Sequence, residues 1–222
     1  MQFAARTEKI EPFYVMEVAK AAQALAAQVA DGASPMIFLN IGEPDFTAAP
    51  LVQQAAQTVI AQGQTQYTSA LGLPALRTAI GQWYADRFGV QVDAGRIVVT
   101  AGASAALQLA CLALVNAGDE VLMPDPTGTS IAPDELQRVH AVVQSKGGFT
   151  IVDEIYRGLS YEEAFGRSAL ALGEDIISIN SFSKYFSMTG WRLGWMVLPP
   201  AMVPVVERLS QSLFICPSAI AQ

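Results

Sequence analysis

Helical and strand-like segments alternate along this chain of 222 residues, and this alternation limits the folds that it can adopt. Residues 12–30 and 74–88 have apolar residues at helical spacing, and Pro74 opens the second segment, as is common in a first helical turn. Further helices are predicted over Ala105–Asn116 and Ala132–Gln144. Short apolar runs predict five strands: Arg96–Thr100, Glu120–Met123, Phe149–Val152, Asp175–Asn180 and Leu193–Leu198.

This order of elements predicts an α/β fold of three layers, with helices on both faces of a mostly parallel sheet. Strands that are apolar on both faces are typical of parallel sheets. In such folds, ligands bind beyond the carboxyl ends of the strands. We expect residues 1–45 to form an N-terminal segment with a helix, and residues 46–222 to form one large domain.

The composition argues against several classes of partner. Thirteen basic and twenty acidic residues give a net charge of −7 without any basic run, so nucleic acid is not an expected partner. No stretch approaches the roughly 18 consecutive apolar residues that a membrane span needs, and the first residues have no apolar signal region. We therefore expect a soluble, cytoplasmic protein. Cys111 and Cys216 match no disulfide framework or metal-site spacing, and we expect both to be reduced.

Polar residues follow two of the predicted strands. Gly102, Ala103 and Ser104 open a helix, where free backbone N–H groups and the helix dipole favour an anion such as phosphate. A serine at this position can equally be a simple N-cap. Asp153 and Tyr156 follow another strand, and an acid there can cap the next helix or take part in catalysis.

Lys184 follows a third strand, in the stretch SFSKYFSMTGWRLGW (181–195). A lysine near the end of an apolar strand is costly to desolvate, and its pKa falls if it is buried. The alternative is a lysine whose amine reaches water past the apolar surface. His140 is the only histidine and matches no motif, so we expect a surface residue or one with satisfied hydrogen bonds.

Taken together, these pieces resemble the class I and II aminotransferases, which have the pyridoxal-phosphate fold type I. The stretch 181–195 resembles the family's cofactor-lysine signature. This resemblance implies that Lys184 carries pyridoxal 5'-phosphate as a Schiff base and acts as a base once it is freed. It also implies that Ser181 and Arg192 hold the phosphate.

Four further motifs follow the order of the family: NIGEPDF (40–46), QYTSALGLPALR (66–77), TAGASAALQLA (100–110) and IVDEIY (151–156). The first implies that Gly42 faces the substrate, and the second that Tyr67 reaches the phosphate of the neighbouring subunit in a homodimer. The third matches the phosphate-binding turn. The fourth implies that Asp153 faces the pyridine nitrogen and that Tyr156 donates to the phenolic oxygen. The implied substrates are an α-amino acid and an α-keto acid.

The chain departs from the family pattern in DEVLMPDPTGTSIAPDELQ (119–137), where two motifs that the family keeps apart are fused. Asp125 stands where the family has an asparagine, and the aromatic residue that stacks on the cofactor is missing. We expect an internal segment to be lost near 125–127. The chain also stops at Gln222, before the small domain that supplies an arginine for the substrate carboxylate.

Two classes of function remain open from the sequence. The chain is either a shortened aminotransferase or a non-catalytic remnant with impaired cofactor binding, and a lyase or decarboxylase of the same fold is the nearest rival enzyme. To close the sheet after the deletion, we expect Val121–Met123 to pair with Thr150–Val152. That pairing would leave Asp125 near the phenolic edge of the cofactor.

Overall fold

The computed structural model describes residues 3–29, 34–123, 131–159, 161 and 166–222. The chain divides into two compact units, Met1–Pro44 and Asp45–Gln222. In the first unit, a short 3₁₀ turn precedes helix α1 (Tyr14–Ala26). The side chain of Asn40 donates a hydrogen bond to the carbonyl oxygen of Val15 (3.4 Å), which ties the end of this unit to its helix.

The second unit contains the other helices and all the strands of the described residues. Its helices are α2 (Pro50–Ala61), α3 (Pro74–Phe88), α4 (Gly102–Leu114), α5 (Pro133–Ser145) and α6 (Val203–Leu213). Its strands are β1 (Ile97–Thr100), β2 (Ile151–Asp153), β3 (Ile177–Ser181) and β4 (Gly194–Val197). The predicted helices and four of the five predicted strands are present within a few residues of their expected bounds. The sequence analysis did not predict α2 and α6.

The four strands form one sheet in the order β1-β4-β3-β2, with helices on both faces. Helix α3 packs on the face that carries Val99 and Trp195, and α4 and α6 cover the face that carries Val98 and Met196. On the first face, the fully buried Trp195 donates a hydrogen bond from Nε1 to the hydroxyl of Tyr84 (3.1 Å). The predicted α/β class with three layers is confirmed.

The prediction of a mostly parallel sheet is correct for strand direction but wrong for pairing. Strands β1, β2 and β3 share one direction, whereas β4 runs antiparallel between β1 and β3. A parallel neighbour needs a crossover that returns the chain to the start of the strand, usually through an α-helix. Residues 182–193, which connect β3 to β4, contain only the 3₁₀ turn Thr189–Trp191, so the chain reverses direction.

The predicted pairing of Val121–Met123 with Thr150–Val152 is wrong. Among the described residues β2 is an edge strand, and Val121, Leu122 and Met123 are not in a strand and are 60, 93 and 77% exposed. The physical reason is the lack of cover. Helix α4 packs over β1, β3 and β4, so an apolar strand beyond β2 would leave one face in water. Asp125 lies outside the described residues.

Other expectations concern single residues and whole segments. His140 is buried, with Nδ1 at 2.9 Å from the hydroxyl of Thr150 and Nε2 at 3.3 Å from the carboxylate of Asp175, so its polar atoms are satisfied. Cys111 and Cys216 are both free thiols. In the part of the chain that the structure describes, no helix is both long and apolar enough to cross a membrane.

Candidate active site

Most of the residues that the motifs single out lie at the carboxyl-terminal edge of the sheet, where β1, β2 and β3 end. Thr100 at the end of β1 and Ser181 at the end of β3 both lie opposite Gly194, the first residue of β4. Asp153 at the end of β2 lies opposite Ile179, so it approaches the same edge. Because β4 runs in the reverse direction, the loop that precedes it is also located at this edge.

The start of α4 is packed tightly against the sheet. A Cβ atom at Gly194 would lie 2.8 Å from the carbonyl carbon of Gly102 and 2.9 Å from the backbone nitrogen of Ala103. Such distances are too short for a side chain, so only glycine lets the helix come this close. The hydroxyl of Thr100 donates to the carbonyl of Gly102 (2.9 Å) and fixes the turn between strand and helix.

Arg192 places its guanidinium group beside the same turn. A Cβ atom at Gly102, whose φ is +76°, would lie only 2.7 Å from Nη2 of Arg192. Nη1 of Arg192 donates to the carbonyl of Thr189 (2.8 Å), which orients the group. The N-cap residue of α4 is Ala101, whose side chain makes no capping hydrogen bond. A cation therefore stands at the positive end of a helix dipole, an arrangement that an anion would stabilise.

Ser181 is buried, with 1% of its surface exposed, and its hydroxyl lies within the protein. Its Oγ is 3.0 Å from the carbonyl of Leu193 and 2.9 Å from the hydroxyl of Ser183, and it accepts a hydrogen bond from the N–H of Ser183 (3.0 Å). In this rotamer, the hydroxyl holds the loop after β3. Ser104, in contrast, is exposed in the first turn of α4.

Lys184 is partly buried in the loop that follows β3, and aromatic packing fixes its neighbour. The ring of Tyr185 lies so close to Gly158 that a Cβ atom there would be 2.9 Å from it. The guanidinium carbon of Arg87 lies 5.7 Å from the centre of the same ring, within the range of a cation–π interaction. These contacts join the lysine loop to the turn that follows β2 and to α3.

Asp153 and Tyr156 lie on that turn and both reach solvent. The carboxylate of Asp153 accepts a hydrogen bond from the N–H of Ile155 (3.0 Å). Partial burial raises the pKa of Asp153; the bond from Ile155 opposes this rise, and the charge of Glu154 adds to it. The net rise means that burial and the charge of Glu154 disfavour the ionised carboxylate more than the bond from Ile155 favours it.

Two further residues were predicted to belong to the site. Tyr67 is 81% exposed on the segment before α3, and Gly42 belongs to the first unit. Their proposed contacts remain predictions. Among the described residues, no three side chains of the metal-binding types come together as a metal site.

The sequence analysis missed two residues that build the edge. Gly194 permits the close approach of α4, and a glycine at the start of a strand pattern is a recognised signal for such an approach. Glu154 is buried behind Asp153. Because successive residues of a strand point to opposite faces, the pair of acids after a buried strand could have indicated that one of them turns inward.

Known proteins are similar to this chain over most of its length. A family model described as aminotransferase class I and II matches residues 34–127 and 125–222. The chain belongs to this family. A valine–pyruvate aminotransferase of Mycobacterium tuberculosis is 31% identical over 96% of this chain and 68% of its own length. The members to which this chain is similar are transferases, and the family as a whole generally depends on pyridoxal phosphate.

Solved structures show the same fold. An aminotransferase from Mycobacterium tuberculosis superposes on this chain with a TM-score of 0.91 at 30% identity. The match covers 100% of this chain and 70% of the other. A structure described as a putative aminotransferase from Silicibacter pomeroyi has a TM-score of 0.85 at 31% identity, over 100% of this chain and 69% of its own. The two segments matched by the family model overlap at residues 125–127.

Proposed function

We propose that this chain binds pyridoxal 5'-phosphate at the edge of the sheet, through a Schiff base to Lys184, and is built to move an amino group between an α-amino acid and an α-keto acid. The observation that carries the proposal is the guanidinium of Arg192 beside the N-terminus of α4, whose N-cap residue Ala101 provides no capping side chain, because both groups attract a phosphate. Gly102, Ala103 and Ser104 would offer backbone N–H groups there.

The residues on the turn after β2 suit the ring of this cofactor. When bound, pyridoxal phosphate supplies a sink for the electrons released at the substrate Cα. The carboxylate of Asp153, whose pKa is raised in the cofactor-free arrangement, would gain a cationic partner in a protonated ring nitrogen. The hydroxyl of Tyr156 would donate to the phenolic oxygen.

Lys184 would have two roles, which follow from the chemistry of an amine. As the covalent attachment point it holds the cofactor, and once released it is a neutral base that can take and return a proton at the substrate Cα. Ser181 would support the phosphate after rotation of its hydroxyl, or would act by holding the loop that carries the lysine. Gly42 and, from a second subunit of a homodimer, Tyr67 would complete the site.

We further propose that the chain lacks an internal segment at 125–127 and works poorly as a catalyst. Three points support this proposal. The matched segments meet at those residues, and the alignment with the valine–pyruvate aminotransferase extends over 266 positions, more than this chain has residues. Val121–Met123 and the outer edge of β2 are also without the partners that a complete sheet would provide among the described residues. These features favour a non-catalytic remnant with impaired cofactor binding as the second candidate.

Covalent labelling tests cofactor binding directly. The chain has four lysines, Lys9, Lys20, Lys146 and Lys184, so a mass spectrum of peptides can assign the label without ambiguity. After incubation with pyridoxal phosphate and reduction with borohydride, we expect the label on Lys184 alone. Lys184→Ala should lose the label and Lys146→Ala should keep it. A label spread over the other lysines, or no label, would contradict the proposal.

A further inference from the structure

Glu154 is a buried acid directly behind Asp153. Only 2% of its surface is exposed, and its side chain turns into the protein whereas that of Asp153 faces outward. Four groups surround the carboxylate. Oε2 accepts hydrogen bonds from the hydroxyls of Ser168 (2.9 Å) and Ser178 (2.8 Å), and Oε1 accepts one from the N–H of Ala169 (2.8 Å) and forms an ion pair with Nε of Arg157 (3.3 Å).

These groups come from three separate parts of the second unit. Ser178 belongs to β3, Ser168 and Ala169 belong to the segment before it, and Arg157 belongs to the turn that follows β2. The backbone of Glu154 is held as well. Its N–H donates to the carbonyl of Ile179 (2.7 Å), and its carbonyl accepts from the N–H of Arg157 (2.7 Å). One residue therefore fixes the end of β2 relative to β3.

Stability alone does not account for a carboxylate in this position. An ionised group is costly to bury, and well-packed apolar residues often replace buried ion pairs without loss of stability. The carboxylate does fix an orientation, because three hydrogen-bond donors and one ion pair at defined positions allow few alternatives. The residues on either side of it, Asp153 and Tyr156, are those that lie at the site edge.

We propose that Glu154 is a positioning residue, which holds the turn after β2 so that Asp153 and Tyr156 face the ring of the cofactor. This inference rests on the proposed function, since it assumes that the ring binds at this edge. The negative charge of Glu154 also lies beside that of Asp153. A cationic ring nitrogen at this edge would therefore be attracted by both carboxylates, by Asp153 in contact and by Glu154 at longer range.

The experiment compares three variants of the full chain. Glu154→Ala removes the anchor. Glu154→Gln keeps the shape of the side chain and one acceptor oxygen. The hydroxyls of Ser168 and Ser178 can reverse and accept hydrogen bonds from the new amide NH₂ group. Arg96→Gln is the matched control: Arg96 is also buried and donates to the carbonyls of Leu198 (2.8 Å) and Glu174 (2.7 Å), but at the opposite end of the sheet.

Three quantities are measured well below the melting temperature: the dissociation constant of pyridoxal phosphate, the absorbance spectrum of the bound cofactor, and the hydrogen exchange of residues 151–159 in the cofactor-free protein. We expect Glu154→Ala to weaken binding at least tenfold, to change the spectrum, and to speed up exchange over residues 151–159. Glu154→Gln should give a smaller change of the same sign. Arg96→Gln should lower the melting temperature without any of the three effects.

The proposal is overturned if Glu154→Ala and Arg96→Gln lower the melting temperature alike and neither changes affinity, spectrum or exchange. If Glu154→Ala does not fold, Ser168→Ala, which removes one donor, must show the same changes in weaker form, and their absence also overturns the proposal. If the wild-type chain does not bind the cofactor, the proposed function fails. Hydrogen exchange of the cofactor-free variants then still decides whether Glu154 holds the turn.

Discussion

Gly102→Ala is the substitution that most directly probes the phosphate site. Gly102 has a φ of +76°, and alanine in this left-handed region costs roughly 1–2 kcal/mol. The lower conformational entropy of the unfolded alanine variant offsets about 0.4–1 kcal/mol of this cost. The new Cβ would also lie 2.7 Å from Nη2 of Arg192, so the guanidinium has to move. Because Arg192 is exposed, this movement should add little to the loss of stability.

The effect on anion binding should be larger than the effect on stability. A hydrogen bond to a charged group contributes about 1.5–3 kcal/mol, so displacement of the guanidinium should weaken pyridoxal phosphate binding about ten- to a hundredfold. Gly63→Ala is the matched control, because Gly63 has a similar φ of +69° with nothing within 4 Å of the added Cβ. It should lose about as much stability and keep its affinity.

Fluorescence titration with pyridoxal phosphate, together with thermal unfolding of the cofactor-free proteins, measures both quantities. Inorganic phosphate as a competitor reports on the anion site alone. If Gly102→Ala and Gly63→Ala bind pyridoxal phosphate equally well, then Arg192 and the start of α4 do not hold its phosphate, and the reasoning is refuted.

Three further predictions concern charge and turnover. The raised pKa of Asp153 means that its ionised form costs stability above the folded-state pKa, and that this cost disappears as the pH falls through that pKa. Asp153→Asn should therefore not destabilise the cofactor-free protein at pH 7, yet should bind pyridoxal phosphate more weakly; a destabilised cofactor-free variant in thermal unfolding would contradict this. Burial raises the pKa of Asp175, but hydrogen bonds from Gln144 and from its own N–H, together with the charge of His140, outweigh burial and lower the pKa. Asp175→Asn should therefore lose stability at neutral pH. Turnover with any common amino acid should fall far below the ordinary ~10 s⁻¹, and a coupled transaminase assay that reaches this value would refute the proposed loss of catalytic groups.

Local signals were sufficient to predict single elements. Helix α3 begins at Pro74 and ends before Gly89, which adopts a φ of +66° as a C-terminal glycine often does. These features depend on a few neighbouring residues, and the sequence shows them directly. The residues that we propose for the site were likewise predicted from motifs, because the types at 102–104, 153, 181, 184 and 192 are characteristic of their chemistry.

Features that depend on distant contacts could not be predicted in this way. The direction of β4 follows from the absence of a crossover helix before it, and the fate of Val121–Met123 depends on which helices cover the sheet. The rotamer of Ser181 is set by Leu193, twelve residues away. The carboxylate of Glu154 accepts hydrogen bonds from donors up to 24 residues away in the sequence, and no local pattern predicts such partners.

The reversal between β3 and β4 determines which parts of such a protein can be deleted without loss of the cofactor attachment points. Lys184 and Arg192, the covalent and the ionic attachment points that we propose, lie on one continuous stretch whose ends are paired side by side, with the N–H of Phe182 bonded to the carbonyl of Leu193 (3.1 Å). Both attachment points are thus inherited as a single piece. A deletion of strands elsewhere in the sheet would leave both attachment points in place. In proteins that lose parts of this fold, cofactor binding should therefore be retained longer than catalysis.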